Sequence, residues 1–126
     1  MAKFSADQVY KLLSPHSLTA ENKAVIEGAS NVSPALVIAG AGSGKTELMT
    51  IRVLYLIANS LALPSEILGL TFTRKAASEL SARVNQALYN LRESEMWPVE
   101  LEQDFTPPNI TTYNSFGNDI FRKLSL

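Results

Sequence analysis

The sequence predicts an α/β fold, a short parallel sheet flanked by helices, and three observations predict it. Two compact apolar runs rich in β-branched residues, ALVIAG ending at Gly40 and EILGLTF ending at Phe72, read as fully buried strands rather than alternating surface ones. Each run is followed by a stretch whose apolar residues recur at helical spacing. A third strand-like segment, NITTY, and a third helical one complete a strand–helix alternation, the order that builds a parallel sheet. With 126 residues, 46% of them apolar, the chain suffices for one ordinary core and no second full domain.

Taken in order, Ser5 with Gln8 three residues on forms a capping-box signal, opening a helix expected to reach about Leu13 before Pro15 stops it. Thr19 opens a second helix, with Ala24, Val25 and Gly28 at helical spacing and an end near residues 28–30. After the turn residues NVSP comes the first strand. Leu48, Ile51, Val53, Leu54, Leu56 and Ile57 then predict a helix from Lys45 to about Asn59, separated by Pro64 from the second strand. The longest amphipathic stretch runs from Arg74 to Arg92, with Ala77, Leu80, Val84, Leu88 and Leu91 on one face. Residues 93–108 break all periodicity and read as an acidic surface loop or insertion, its acidic part from Glu93 to Asp104 solvated and flexible. NITTY follows as the third strand, and NSFGNDIFRKL as a helix running to the chain end.

Composition excludes several function classes. The absence of cysteine removes disulfides and thiolate metal sites, and a single histidine, His16 beside Pro15, removes imidazole clusters and reads as an exposed loop residue. Asp7 and Gln8 interrupt any signal-peptide core, and no apolar run approaches the roughly 18 residues of a membrane span. These features read as a soluble, cytoplasmic protein. Net charge is −1, but five of the twelve acids fall within residues 93–104, where there is no base, leaving the rest of the chain at +4. A basic face is therefore compatible with the composition.

The chemistry concentrates in AGAGSGKT, residues 39–46. The final Gly, Lys and Thr follow a four-residue spacer after Ala39, the P-loop pattern with Ala at its usual first Gly. A polyphosphate must be ringed by backbone N–H groups with no side chains in the way, which suits Gly40, Gly42 and Gly44 with the small Ala41 and Ser43 between them. The following helix directs its positive end at the same anion. Lys45 suits the β and γ phosphates and Thr46 a Mg²⁺ ligand, making ATP with Mg²⁺ the expected cofactors. Hydrolysis also calls for an acid ending a neighbouring buried strand. No run of four apolar residues followed by Asp or Glu exists; AVIE, ending at Glu27, comes nearest, on a predicted helix.

A second constellation lies in LGLTFTRKAASEL, residues 68–80. Thr71, Phe72 and Thr73 place an aromatic between two hydroxyls at a strand end, with Arg74 and Lys75 at the helix start, a set that can hold phosphates and stack a base. Taken alone, the same residues more readily fit a strand edge whose Phe72 enters the core and whose bases are solvated.

Together, SLTAEN, LVIAGAGSGKTE, ILGLTFTRKAASEL and ITTYNSF, in that order, resemble the start of the UvrD/Rep/PcrA-type superfamily 1 DNA helicases, RecB-like and AdnB-like relatives included. The resemblance runs from residue 17 to about 122. It implies a partial, RecA-like P-loop NTPase fold, the incomplete N-terminal part of helicase domain 1A, with residues 1–17 a helix and linker ahead of it. In such helicases two RecA-like domains close on ATP and move 3′ to 5′ along single-stranded DNA. The resemblance assigns phosphate and Mg²⁺ to Lys45 and Thr46, the DNA path to Thr71, Phe72 and Thr73 with Lys75 beside them, and a further DNA-contacting motif to Thr112, Tyr113 and Asn114. For ITTYNSF alone, a strand end with a capped helix fits as well.

Two positions depart from the family pattern. Asn22 stands where an adenine-reading Gln is usual, one methylene shorter, and by helix position alone is a surface residue. Asn114 stands where many members carry His. The remaining motor elements of the family come after the point where this chain stops, so the expected whole is an ATP-dependent helicase of DNA repair or recombination, acting on single-stranded or tailed DNA with no membrane partner. The 126 residues alone are expected not to unwind. The rival classes are a small P-loop kinase or GTPase, for which no Arg-rich lid is visible, and a non-catalytic nucleotide-binding interaction module.

Overall fold

The computed structural model describes residues 3–28, 36–38, 43–102 and 105–124, with backbone alone for 36–38, 43–45, 121, 123 and 124. The element order is α1 (Ala6–Tyr10), α2 (Ala20–Glu27), β1 (Leu36–Ile38), α3 (Ser43–Ala58), β2 (Leu68–Thr71), α4 (Arg74–Arg92), β3 (Asn109–Thr112) and α5 (Tyr113–Leu124), with 3₁₀ turns at Pro64–Glu66 and Val99–Leu101. The strands form one parallel sheet in the order β1-β2-β3. Leu36 stands opposite Leu68, and Leu68 through Thr71 pair with Asn109 through Thr112. The α/β expectation therefore holds, with every predicted strand and helix present.

Capping chemistry sets the helix starts. Ser5 and Gln8 make the expected reciprocal box, Thr19 Oγ1 accepts from Asn22 N–H, and Thr73 Oγ1 accepts from Ala76 N–H. α1 ends at Tyr10 rather than Leu13, because tightened backbone bonds from Leu12 and Leu13 to Val9 and Tyr10 replace the α-helical pattern before Pro15. At the end of α3, Ser60 adopts φ 55° while Leu61 N–H reaches Leu56 O and Ser60 N–H reaches Ile57 O. This is the left-handed helix stop that glycine usually serves.

The core centres on α3, which is buried all round from residue 50 to 58 save Arg52. A helix apolar on every side needs cover on every side. α1, α2 and α4 supply it, and α4 contributes the predicted Leu80, Val84, Leu88 and Leu91. In α2 the buried residue is Ile26, whereas Val25 is 46% exposed, since the approach of α3 rather than the short helix's own pattern selects its inner face. Asn59 pins the N-terminal segment: its amide accepts from Phe4 N–H at 2.6 Å and donates to Phe4 O at 3.1 Å. Lys23 and Asp7, 3.1 Å apart with side chains 41% and 40% exposed, join α2 to α1; that hydrogen bond and the Asp7 charge raise the Lys23 pKa. Exposed pairs of this kind contribute little to stability.

The expectation of a solvated segment at 93–104 holds for Glu93, Glu95, Glu100 and Glu102, which are exposed, and needs correction for the apolar residues between them. Leu101 is buried, Met96, Trp97 and Phe105 pack on the core, and the Trp97 and Phe105 rings lie 5.5 Å apart. Its acids obscured the apolar residues between them, which no regular period revealed. Among the described residues no helix is long and apolar enough to cross a membrane.

Candidate functional site

Parallel pairing sends every strand's carboxyl end to the same edge of the sheet. β1 leads to α3 across residues 39–42, β2 to α4 across Phe72 and Thr73, and β3 directly to α5. In open α/β sheets this edge is where ligands bind. It gathers the start of α3, residues 71–75 and residues 112–114, stretches far apart in sequence. Ala39, Gly40, Ala41 and Gly42 lie outside the described residues, and Ser43, Gly44 and Lys45 are described as the first residues of α3. Thr46, in the same turn, is half-buried, and its carbonyl accepts from Thr50 Oγ1 at 2.8 Å.

Helix ends give this edge its charge. α1 and α2 carry Asp7 and Glu21 in their first turns, as helices usually do, whereas α3, α4 and α5 carry no acid there. Three positive helix ends thus stand uncompensated along one edge, with Arg74 and Lys75 exposed in the first turn of α4. Cations at a helix N-terminus cost stability, and an anion bound there reverses that sign.

Around β2 and β3 the predicted residues divide by role. Phe72 is 70% exposed and so does not enter the core. Its ring centroid lies 5.1 Å from that of Tyr113 at an interplanar angle of 35°, a tilted aromatic pair on the surface of the edge. Thr71 is buried, its hydroxyl donating to Thr73 O at 3.0 Å, so it shapes the turn that presents Phe72. Thr73 caps α4. Thr112 is buried and caps α5, accepting from Ser115 N–H at 3.1 Å and donating to Ser115 Oγ at 3.0 Å. Asn114 and Lys75 are exposed.

Asn22 is exposed on α2, away from the strand ends in sequence but on a helix packed against α3. The link between these helices is a residue that the motif reading missed. Arg52 of α3 donates through Nη1 to Ile26 O and, at 3.0 Å, to Gly28 O, binding the carboxyl end of α2. Burial lowers its pKa without discharging a guanidinium. The available signal was its isolation as the one charged residue between Glu47 and Glu66. Glu27, the nearest approach to a strand-end acid, is committed elsewhere: it sits on α2, and its Oε2 accepts from Ala6 N–H at 2.7 Å.

The sequence also matches known proteins. The model of the UvrD/REP helicase N-terminal domain matches residues 18–125. DNA helicase II of Rickettsia typhi is 44% identical over 73 residues, covering 58% of this chain and 11% of the relative. ATP-dependent DNA helicase Rep of Buchnera aphidicola is 37% identical over 90 residues, covering 71% and 12%. ATP-dependent DNA helicase PcrA of Bacillus subtilis is 51% identical over 55 residues, covering 44% and 7%. The chain spans about a tenth of the length of the relatives it matches. With nearly its whole length matched in one family and its helix ends gathered at one sheet edge, the chain belongs to the UvrD/REP helicase N-terminal domain family.

Proposed function

We propose that this chain is the ATP-binding, DNA-contacting N-terminal segment of motor domain 1A in a 3′-to-5′ DNA helicase or translocase of repair or recombination. The observation that carries the reading is the shared edge: three uncompensated helix N-termini and two exposed bases stand beside an exposed aromatic pair. Phosphates suit the first and bases the second. On this reading the protein works in the cytoplasm.

The residues present fit a Mg²⁺-bound nucleotide, since α3 starts four residues after β1 with Lys45 and Thr46 in its first turn and no acid there to repel phosphate. Residues 39–44 would cradle the polyphosphate through backbone N–H groups, Lys45 would neutralise it and Thr46 would ligate Mg²⁺. Bound Mg²⁺-ATP supplies the free energy of phosphate hydrolysis to a complete motor. Among the described residues no acid ends a strand beside β1, and Glu27 is occupied with the start of α1, so nucleotide binding without efficient turnover is the expected behaviour of the chain alone. Asn22 would approach adenine with a shorter reach than Gln. Phe72 would stack on a base of single-stranded DNA, with Tyr113 behind it, while Thr73, Lys75 and Asn114 face the backbone; Thr71 and Thr112 would hold that surface in shape.

The test is binding of Mg²⁺-ATP and of oligo(dT) to the chain, each titrated separately. Lys45→Ala should remove nucleotide binding and leave oligo(dT) binding within about twofold, a factor worth about 0.4 kcal/mol. Robust DNA-stimulated ATPase by the chain alone would contradict the incomplete site, and unchanged ATP affinity in Lys45→Ala would overturn the phosphate assignment.

A further inference from the structure

The pole of the molecule opposite the site edge has its own character. There the end of α3, the 3₁₀ turn before β2 and the 3₁₀ turn before β3 enclose a groove of about 190 Å³, lined by Ile57, Ala62, Leu63, Pro98 and Leu101 with Glu100 at its rim. A second cavity of about 310 Å³ shares Ser60, Pro98 and Glu100 with it and extends past Trp97 to Glu95. At these adjoining cavities three apolar side chains stand in solvent: Leu61 at 42%, Leu63 at 51% and Val99 at 76% exposure. Grouped exposed apolar residues beside a groove mark an interaction surface.

Charge selects the occupant. Glu66, Glu93, Glu95, Glu100 and Glu102 are all exposed on the segments that form or adjoin this pole, and none takes part in an ion pair among the described residues. Two bases stand near them: Lys3, which lines the second cavity with its ammonium 5.5 Å from the Phe4 ring centroid, and Arg92, exposed at the end of α4 beside Glu93, so the acids still outnumber the bases. A nucleic-acid backbone is repelled from such a surface. A second copy meeting it in a two-fold contact would set the same carboxylates against each other, which disfavours self-association. An apolar segment carrying Lys or Arg meets both the groove and its rim.

We propose that this pole docks a basic amphipathic segment of a partner protein, its apolar side chains in the groove between α3 and the 93–102 segment and its cations over Glu95 and Glu100. The site is separate from the strand-end edge, so DNA and this partner bind together. The proposal does not depend on the motor assignment.

The probe is a synthetic helix-forming peptide with Leu at i, i+3, i+4 and i+7 and Lys elsewhere, titrated into the 126-residue chain and followed by the fluorescence of Trp97, the single tryptophan. A scrambled peptide of equal composition and a Leu/Glu peptide of the same pattern are the controls. Saturable binding is expected for the patterned Leu/Lys peptide, at least tenfold tighter than for either control. Leu63→Ser with Val99→Ser, both exposed and so harmless to the fold, should weaken it at least fivefold. Glu95→Gln with Glu100→Gln should weaken it at least threefold and flatten its salt dependence. No binding, equal binding of the scrambled peptide, or indifference to both variants overturns the proposal. Concentration-dependent dimerisation abolished by Val99→Ser overturns it in favour of a second copy.

Discussion

Removing Phe72 separates the proposed DNA role of the strand-end edge from the stability of the fold. The ring is 70% exposed, so Phe72→Ala gives up only about a third of a buried phenylalanine, below about 1 kcal/mol. Its tilted contact with Tyr113 at 5.1 Å adds about 0.5 kcal/mol, the low end for aromatic pairs because both rings are solvated. Stacking on one base is worth about 1–3 kcal/mol by alanine substitution, or about 5- to 150-fold in affinity. The DNA loss, about 1–3 kcal/mol, and the stability loss, at most about 1.5 kcal/mol, are measured independently. Fluorescence anisotropy of labelled oligo(dT) at fixed ionic strength gives the first, and thermal unfolding followed by circular dichroism gives the second. An abasic oligonucleotide of equal length should bind wild type and Phe72→Ala alike, since its phosphates remain and its bases do not. In a double-mutant cycle, Tyr113→Ala should couple to Phe72→Ala by about 0.5–1.5 kcal/mol of DNA affinity, as expected for residues in contact. Oligo(dT) affinity unchanged within twofold, or parallel loss on the abasic strand, would refute the stacking role.

Three further outcomes follow from particular contacts. Arg52→Met removes two charge-assisted bonds to the end of α2, one part-buried and one exposed, and should cost about 2 kcal/mol in chemical denaturation; a loss below about 0.5 kcal/mol would show that the bonds merely exchange for water. Tyr55 has a pKa raised first by burial and then by the charge of Glu27, against the opposing charge of Arg52. The folded state therefore holds the phenolic proton above the ordinary tyrosine pKa near 10, so stability present below that pH falls as pH rises through the raised value; Tyr55→Phe should flatten this alkaline limb, and an unchanged limb would point to other groups. Alanine placed at two glycines should act with opposite sign. At Gly117, where a Cβ meets nothing within 4 Å, it should stabilise α5 by about 0.5–1 kcal/mol, whereas at Gly28 the Cβ would sit 2.7 Å from Ala24 O and should raise the unfolded fraction at any given urea concentration. Equal shifts of the two urea midpoints would contradict the packing.

Much of the architecture is local information. Capping residues Ser5, Thr19 and Thr73 and the period of α4 each act within one or two turns, so the chain states them directly, and α4 begins and ends at the residues expected. AGAGSGKT likewise carries the P-loop pattern in residue type and spacing, whereas TFTRKAA taken alone also fits a solvated strand edge and draws its DNA reading from the family resemblance. The apolar content of the 93–102 segment was hidden because Met96, Trp97 and Leu101 are spaced for no helix or strand and sit among acids.

By itself, then, the sequence determined the alternation of strands and helices, the helix starts and the family. Only the tertiary structure decided which residues share a surface. Register and parallel pairing are long-range properties, and they bring Phe72 within ring contact of Tyr113, forty-one positions on, while turning the hydroxyls of Thr71 and Thr112 inward. The closure of α2 onto α3 through Arg52 is of the same kind, because a guanidinium finds carbonyls that exist as unpaired acceptors only once the second helix has ended beside it.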